Sequence, residues 1–392
     1  MIVPSNSRTA LPSLLANEFY VVFASKSNKK KFKFLRKYFL HVEDNNSSLV
    51  NKFILNSGGY ASLDDTKEVI GFNKICKGFL LSVASLQGKK LYGVEDYGMA
   101  LCYLGMSYEY GTFEFVRNEA HAFYYYRKSA GVKNSFGCFK YGQCFEKGLN
   151  TKQSPEKMHT FYKLSANLGC VEALHTLGVI LMHGLCGIEV DIYSGLFYLQ
   201  LAAKKSDYDY PFTYFDFGEC YDMNSNQCIF KDDVYAYDLY QKGAILGCPN
   251  SQYRLGNIFY LGHLKIEADL HKAIYWYQTA AKSGHVEAQT FLANFYVSGI
   301  PNFLSKDFKQ AYILTLKAAT KGSGFAAYKL GGYIENGYGV EKDPLHALWW
   351  YKIAASLDYK EANTKIDELS KNISTPVAKK GWWFFSILGR GN

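Results

Sequence analysis

Residues 326–343 read Ala-Ala-Tyr-Lys-Leu-Gly-Gly-Tyr-Ile-Glu-Asn-Gly-Tyr-Gly-Val-Glu-Lys-Asp. They are followed by Ala347, Trp350-Tyr351 and Ala354-Ala355, and the cycle restarts at Ala362. The Leu330-Gly331 step has counterparts at Leu104-Gly105, Tyr141-Gly142, Leu177-Gly178, Phe217-Gly218, Leu255-Gly256 and Leu292-Ala293. Subtracting successive first members gives spacings of 37, 36, 40, 38, 37 and 38 residues. Self-similarity at a period of this size marks a solenoid of stacked supersecondary units. Such a chain grows by adding neighbours, so its 392 residues do not imply several globular domains.

Each copy reads as two helices. In the first, helix A, residues such as Ala100, Leu104 and Tyr108 recur every four positions and share one face, with Gly105 on its flank. A glycine inside a helix costs about 0.5–1 kcal/mol against alanine. Its return at one phase therefore predicts a close approach of the second helix. Gly111, Gly148, Gly184, Gly262, Gly299 and Gly337 stand where helix A would end in a left-handed conformation. In the fourth copy Asn224 takes that place. The second helix, helix B, carries small residues around an aromatic pair, as in Ala273, Trp276-Tyr277 and Ala280-Ala281. Asp343 before Pro344 reads as an N-cap followed by proline in the first turn.

This pattern resembles the Sel-one-like repeat family, relatives of the tetratricopeptide repeat, over roughly residues 97–362. The carrying run is Leu-Gly-x-x-Tyr, then Gly-x-Gly-Val-x-x-Asp, then Ala-x-x-Trp-Tyr-x-x-Ala-Ala, nearly complete in the last copy. The expected fold is all-α: a right-handed αα-solenoid of about seven repeats. Its expected parts are a basic N-terminal extension over 1–60, a degenerate helical cap over 61–96, repeats over 97–362, a capping helix over 363–375 and an aromatic tail over 376–392. The resemblance implies scaffolding: an adaptor that binds a partner protein or peptide in a concave groove. It brings no catalytic residue and no cofactor, and an enzyme is not expected. The alternative it implies is a peripheral membrane-associated regulator of a membrane enzyme, as in chitin synthase regulators with these repeats. Those often end in a prenylation cysteine, whereas this chain ends Gly389-Arg390-Gly391-Asn392. Bacterial members linked to β-lactam hydrolysis carry regular cysteine pairs in each repeat, which are absent here.

Charge narrows the partners. Residues 1–37 hold eight basic residues against Glu18, a net +7, and residues 371–392 hold Lys371, Lys379, Lys380 and Arg390 with no acid, a net +4. The chain total is +9, so residues 38–370 carry −2. A nucleic-acid solenoid would carry a basic stripe along its repeats, so no nucleic acid is expected. The nine cysteines form no Cys-x-x-Cys pair. With no secretory signal and no spanning stretch, they read as free thiols in a cell interior. The expected location is cytoplasmic, peripheral to a membrane if the charged ends act.

Candidate groove positions follow from the helix A phase. Five residues after the repeat leucine lie Glu109, Glu146, Asp222 and Glu335. Two after it lie Gln143, Glu219, Asn257 and Asn294, and two before it Phe139, His175 and Tyr253. Amides can donate to and accept from a peptide backbone at once. Each position also reads as an ordinary solvated helix surface. The basic run Lys26–Lys37, interleaved with Phe32 and Phe34, fits either an amphipathic cap on the first repeats or an anionic membrane surface. The tail, with Trp382, Trp383, Phe384 and Phe385 beside Lys379 and Lys380, fits either the membrane interface or docking on the last repeat. The nine histidines show no metal-ligand spacing, so no metal site is expected, and no phosphate loop or Ser/His/Asp set is present.

Overall fold

The computed structural model describes residues 22–23, 25–46, 67–206, 210–222, 225, 229–301 and 303–373. Trp382, Trp383, Phe384, Phe385 and Asn224 lie outside the described residues. Two helices precede the repeats: α1 (Asn28–Asn46) and α2 (Lys67–Val83). Seven A/B pairs follow: α3 (Leu86–Tyr110) with α4 (Glu119–Gly131), α5 (Ser135–Lys147) with α6 (Pro155–Asn167), and α7 (Val171–His183) with α8 (Ile192–Lys205). Next come α9 (Thr213–Glu219) with α10 (Asp233–Ile245), and α11 (Pro249–Leu261) with α12 (Leu270–Lys282). The last are α13 (Val286–Ser298) with α14 (Phe308–Thr320), and α15 (Gly324–Asn336) with α16 (Pro344–Ser356); α17 (Ala362–Ile373) comes after them. Among the described residues the one β feature is an isolated bridge, Ile300 to Leu304. The chain divides into two compact units, the described residues up to Phe217 and those from Gly218 onward.

The recurrent glycine does what its phase predicts. A Cβ at Gly105 would stand 2.6 Å from the Tyr126 ring, at Gly142 2.6 Å from Tyr162, at Gly256 2.6 Å from Tyr277 and at Gly331 2.8 Å from Tyr351. Helix B lays a tyrosine flat across the glycine of helix A, and any side chain would lift it off. The helix A ends also match, with φ of +67° at Gly111 and +78° at Gly337.

The helix B starts were only partly legible. Asn118, Ser154, Asp191, Asp232, Asp269, Asp307 and Asp343 all cap helix B, each side chain accepting a backbone N–H in the first turn. Six of the seven cap residues also donate their own N–H back to helix A, for example Asp269 to Phe259 O at 2.7 Å and Asp343 to Ile334 O at 3.1 Å, while Asp232 donates to Tyr221 O just beyond α9. One residue thus satisfies an orphan donor of helix B and an orphan acceptor of helix A. The boundary expected at residue 96 falls inside α3, which runs on through a break at Gly93 (φ +87°).

Candidate functional site

The acids expected to line a groove are engaged inside their own repeats. The Tyr126 hydroxyl donates to Glu109 Oε2 at 2.6 Å, Tyr162 to Glu146 Oε2 at 2.5 Å, and Tyr351 to Glu335 Oε2 at 2.7 Å. Tyr240 donates to Glu219 Oε1 at 2.6 Å and to Asp222 Oδ2 at 3.1 Å, and Tyr277 donates to Asn257 Oδ1 at 2.8 Å. These are the tyrosines that cover the glycines. Burial pushes each phenol well above the usual tyrosine range, and the neighbouring carboxylate pushes it further in the four acid pairs. Asp222 is 0% exposed and paired with Arg254, so it offers no surface to a partner. An acid in the last turn of helix A is where a buried phenol finds an acceptor, and Glu109, Glu146 and Glu335 stay partly exposed while they accept.

The remaining candidates separate by place. In the second unit Tyr253 is half-buried, its ring 4.4 Å from that of His285, and Asn294 is exposed. In the first unit Phe139 and Gln143 come together at one cavity, and His175 is not in its lining but contacts the lining residue Tyr210. The cavity has a volume of about 200 Å³. Its walls are Tyr103 and Met106 of α3, Phe136, Phe139, Lys140 and Gln143 of α5, Glu172 and Thr176 of α7, and Tyr210 ahead of α9. Arg36 and Phe39 of α1 complete the lining.

α1 is held there by its apolar face. Phe32, Phe34, Leu35 and Phe39 are buried, and the rings of Phe32 and Phe39 stack on Tyr103 at 5.9 and 5.6 Å. The exposed side of the helix carries Lys29, Lys30 and Lys33. Arg36 reaches across to an ion pair with Glu172. Behind the cavity wall, His175 Nδ1 lies 2.8 Å from the Tyr210 hydroxyl and Nε2 lies 2.6 Å from Asp216 Oδ2. Asp216 can only accept, so Nε2 carries the proton and, in a neutral ring, Nδ1 accepts from Tyr210. Burial pushes the Tyr210 phenol up, aided by Glu172 and Asp216.

Lys140, Glu172, Tyr210 and Arg36 were not singled out by sequence. Lys140 shares the phase one before the repeat leucine with Arg254 and Lys329, and Glu172 shares its phase with Glu287, but a shared phase does not show what either residue meets; Arg36 was one cation in a basic run. Glu172 meets Arg36 across 136 positions of chain, a distance no local pattern spans. The buried thiols are poor nucleophiles: burial pushes Cys144 up to about 12 and Cys138 to about 11. Among the described residues no group of three or more His, Cys, Asp or Glu side chains is placed to hold a metal ion. Among them, too, no helix is long and apolar enough to cross a membrane.

The repeat geometry has known counterparts. The Sel1 repeat model matches residues 98–131, 135–170, 171–207, 218–248, 249–285, 286–323 and 324–359. Among curated proteins, the chain is 28% identical over 284 residues to Chitin synthase regulatory factor 3 of Schizosaccharomyces pombe, covering 72% of this chain and 30% of that protein. It is 27% identical over 281 residues to Chitin synthase regulator SKT5 of Saccharomyces cerevisiae, covering 71% and 40%. It is 29% identical over 274 residues to Activator of C kinase protein 1 of the same yeast, covering 63% and 44%. The chain thus spans less than half the length of each of these relatives. Among solved structures, a Sel1 repeat protein from Oxalobacter formigenes aligns with a TM-score of 0.53 and 25% identity, over 61% of this chain and 94% of that one. A protective antigen of uropathogenic Escherichia coli with an SLR fold aligns with a TM-score of 0.55 and 23% identity, over 90% and 77%, and shows the fold alone. Seven matched copies, each with its glycine or alanine step and its capped second helix, place the chain in the Sel1 repeat family.

Proposed function

We propose that this chain is an adaptor that binds a partner protein on the helix A side of its first unit. The observation that carries this reading is the cavity. Phe139, Lys140 and Gln143 of α5 and Thr176 of α7, just before and after the repeat leucine of successive helices A, surround open space. Nothing in the site supplies an activated nucleophile or a paired acid and base, which favours binding over catalysis. Exposed Asn294 stands at the Gln143 phase in the second unit.

A photo-crosslinking residue at Gln143, in the full chain expressed in its source cells, should capture a discrete protein. The same probe at Tyr193, exposed on helix B, should not. Equal capture at both positions, or none at Gln143, overturns the reading.

A second reading, peripheral regulation of a membrane enzyme, is favoured by the two relatives named as chitin synthase regulators. Under it the chain is cytoplasmic and meets an anionic membrane through Lys29, Lys30 and Lys33 or through the aromatic tail. Paired tryptophans beside lysines suit the headgroup region, where each lysine adds about 1 kcal/mol on anionic lipid. Full-length chain should co-sediment with phosphatidylserine vesicles more than residues 1–375 do. Equal sedimentation removes the tail from this account.

A further inference from the structure

We propose that the first unit pairs with a second copy of this chain through the exposed face of α2 and the start of α3. α2 is two-sided. Cys76, Leu80 and Val83 are buried, while Lys74, Ile75, Gly78, Leu81 and Ser82 form an exposed stripe at helical spacing. A tight turn joins α2 to α3. Ser85 Oγ accepts from the Gly88 N–H at 2.8 Å and donates to Ser82 O at 2.7 Å. A Cβ at Gly88 would stand 2.3 Å from Ser82 O, so the two helices are fixed against each other there. The first segment of α3, up to the break at Gly93, holds out Leu86 (78% exposed), Leu91 (67%) and Tyr92, with Val94 just beyond. Ile75, Leu81, Leu86, Leu91, Tyr92 and Val94 thus lie open on one hairpin. Apolar residues scattered singly over a surface are ordinary, but such a run marks an interaction site.

A solenoid needs a polar outer face on its terminal units, and the last helix of the second unit has one. α17 buries Ala362 and Leu369 and exposes Asn363, Thr364, Asp367, Glu368 and Ser370. The α2–α3 hairpin has no such face, so it is built to be covered. Charge identifies the cover. The Lys89 ammonium lies 5.4 Å from the Tyr97 ring, and Asp96 accepts from Asn28 Nδ2 at 2.8 Å. Lys90 and Glu95 remain, both exposed, one on each side of Gly93. In a twofold pairing, residue i of one copy meets residue j of the other and j meets i. Two α3 segments crossing antiparallel at Gly93 would set Lys90 against the partner's Glu95 and Glu95 against the partner's Lys90. A Cβ at Gly93 would meet nothing within 4 Å, so the backbone there is open to close approach. An anionic membrane would favour lysines alone, and Glu95 counts against it. Twofold pairing uses up the apolar face and stops at two copies.

Sedimentation velocity of the full chain over a range of concentrations should show a monomer–dimer equilibrium and nothing larger. Leu91→Glu should weaken the dimer by at least about 10-fold, the effect of a central apolar anchor. Lys90→Glu and Glu95→Lys should each weaken it by a similar factor, because each sets like charges opposite one another twice. An equimolar mixture of those two variants should dimerise like the parent, since a mixed pair has opposite charges at both contacts. Circular dichroism of all three variants should match the parent, as the positions are exposed; if Leu91→Glu does not fold, the charge pair decides alone. The inference is overturned by a parent that stays monomeric at every concentration, by a dimer indifferent to all three changes, or by a mixture no tighter than its parts. It is also overturned if the variants lose binding to phosphatidylserine vesicles while the parent forms no dimer, which would assign the face to a membrane.

Discussion

Gly331 and Tyr351 act as one structural choice, and the chain contains its own control. In six copies the Leu-Gly step keeps its glycine, and in five of those helix B supplies a tyrosine, while Gly178 faces Leu199. The sixth copy has Ala293 instead, and the residue at the tyrosine position is Thr315, with both buried. A methyl group on helix A is thus accepted where helix B is trimmed. Gly331→Ala alone should destabilise by about 1–3 kcal/mol, the usual cost of overpacking. In a Tyr351→Thr background the same change should cost less than about 0.5 kcal/mol, because the clashing ring is gone. Urea denaturation of the four proteins measures the coupling, and additive effects would separate the two residues. The acceptor follows the same logic. Where Leu199 replaces tyrosine, Met182 occupies the acid position, and where Thr315 replaces it, Val297 does. Tyr351→Phe should cost about 1 kcal/mol through the bond to Glu335.

At the scale of the element, four A/B hairpins are closed by a phenol–carboxylate bond and a fifth by the bond from Tyr277 to the Asn257 amide, beside the cap residue of each helix B. The phenols give this a pH signature. An unfolded tyrosine ionises near pH 10, whereas Tyr126, Tyr162, Tyr240, Tyr277 and Tyr351 are held above that by burial first. A raised folded pKa means that the stability is fully present below the unfolded value and is lost as pH climbs beyond it. The five buried phenols should ionise only together with loss of helicity at higher pH. Absorbance at 295 nm followed beside far-ultraviolet circular dichroism checks this, and complete titration with helicity intact would contradict it. The short helix α9 is the weak copy. Glu219 at its end and Asp222 just beyond it both accept from Tyr240, and Arg254 of the next helix A joins them.

At the scale of the whole molecule, α1 shows how an extension becomes part of a repeat surface. Its buried face packs on Tyr103, and Arg36 ties it to α7 two repeats further along. Arg36→Met should leave Glu172 buried without that cation, at a cost of about 1–3 kcal/mol. Hydrogen exchange should then quicken in both α1 and α7. Faster exchange in neither would mean that the apolar face alone holds the helix.

The repeat sequence by itself determined the helices, their pairing and the glycine contacts, because these are local. A period of about 37 residues, a glycine at fixed phase and a capping residue each act within one hairpin, and each is written in neighbouring letters. The seven caps were equally present in the sequence, two of them, Ser154 and Asp343, followed directly by proline, yet only Asp343 was read as a cap. The use of the acids was not legible. Glu109 and Glu146 look like groove residues on a helical wheel, and only the folded position of Tyr126 and Tyr162 turns them inward. The cavity was still less so. It joins Arg36, Lys140, Glu172 and Tyr210 from segments far apart in the chain, and what brings them together is burial of the α1 face against helices A. Packing of that kind depends on surfaces that exist only after the hairpins have formed, so tertiary structure alone decided where the cavity lies.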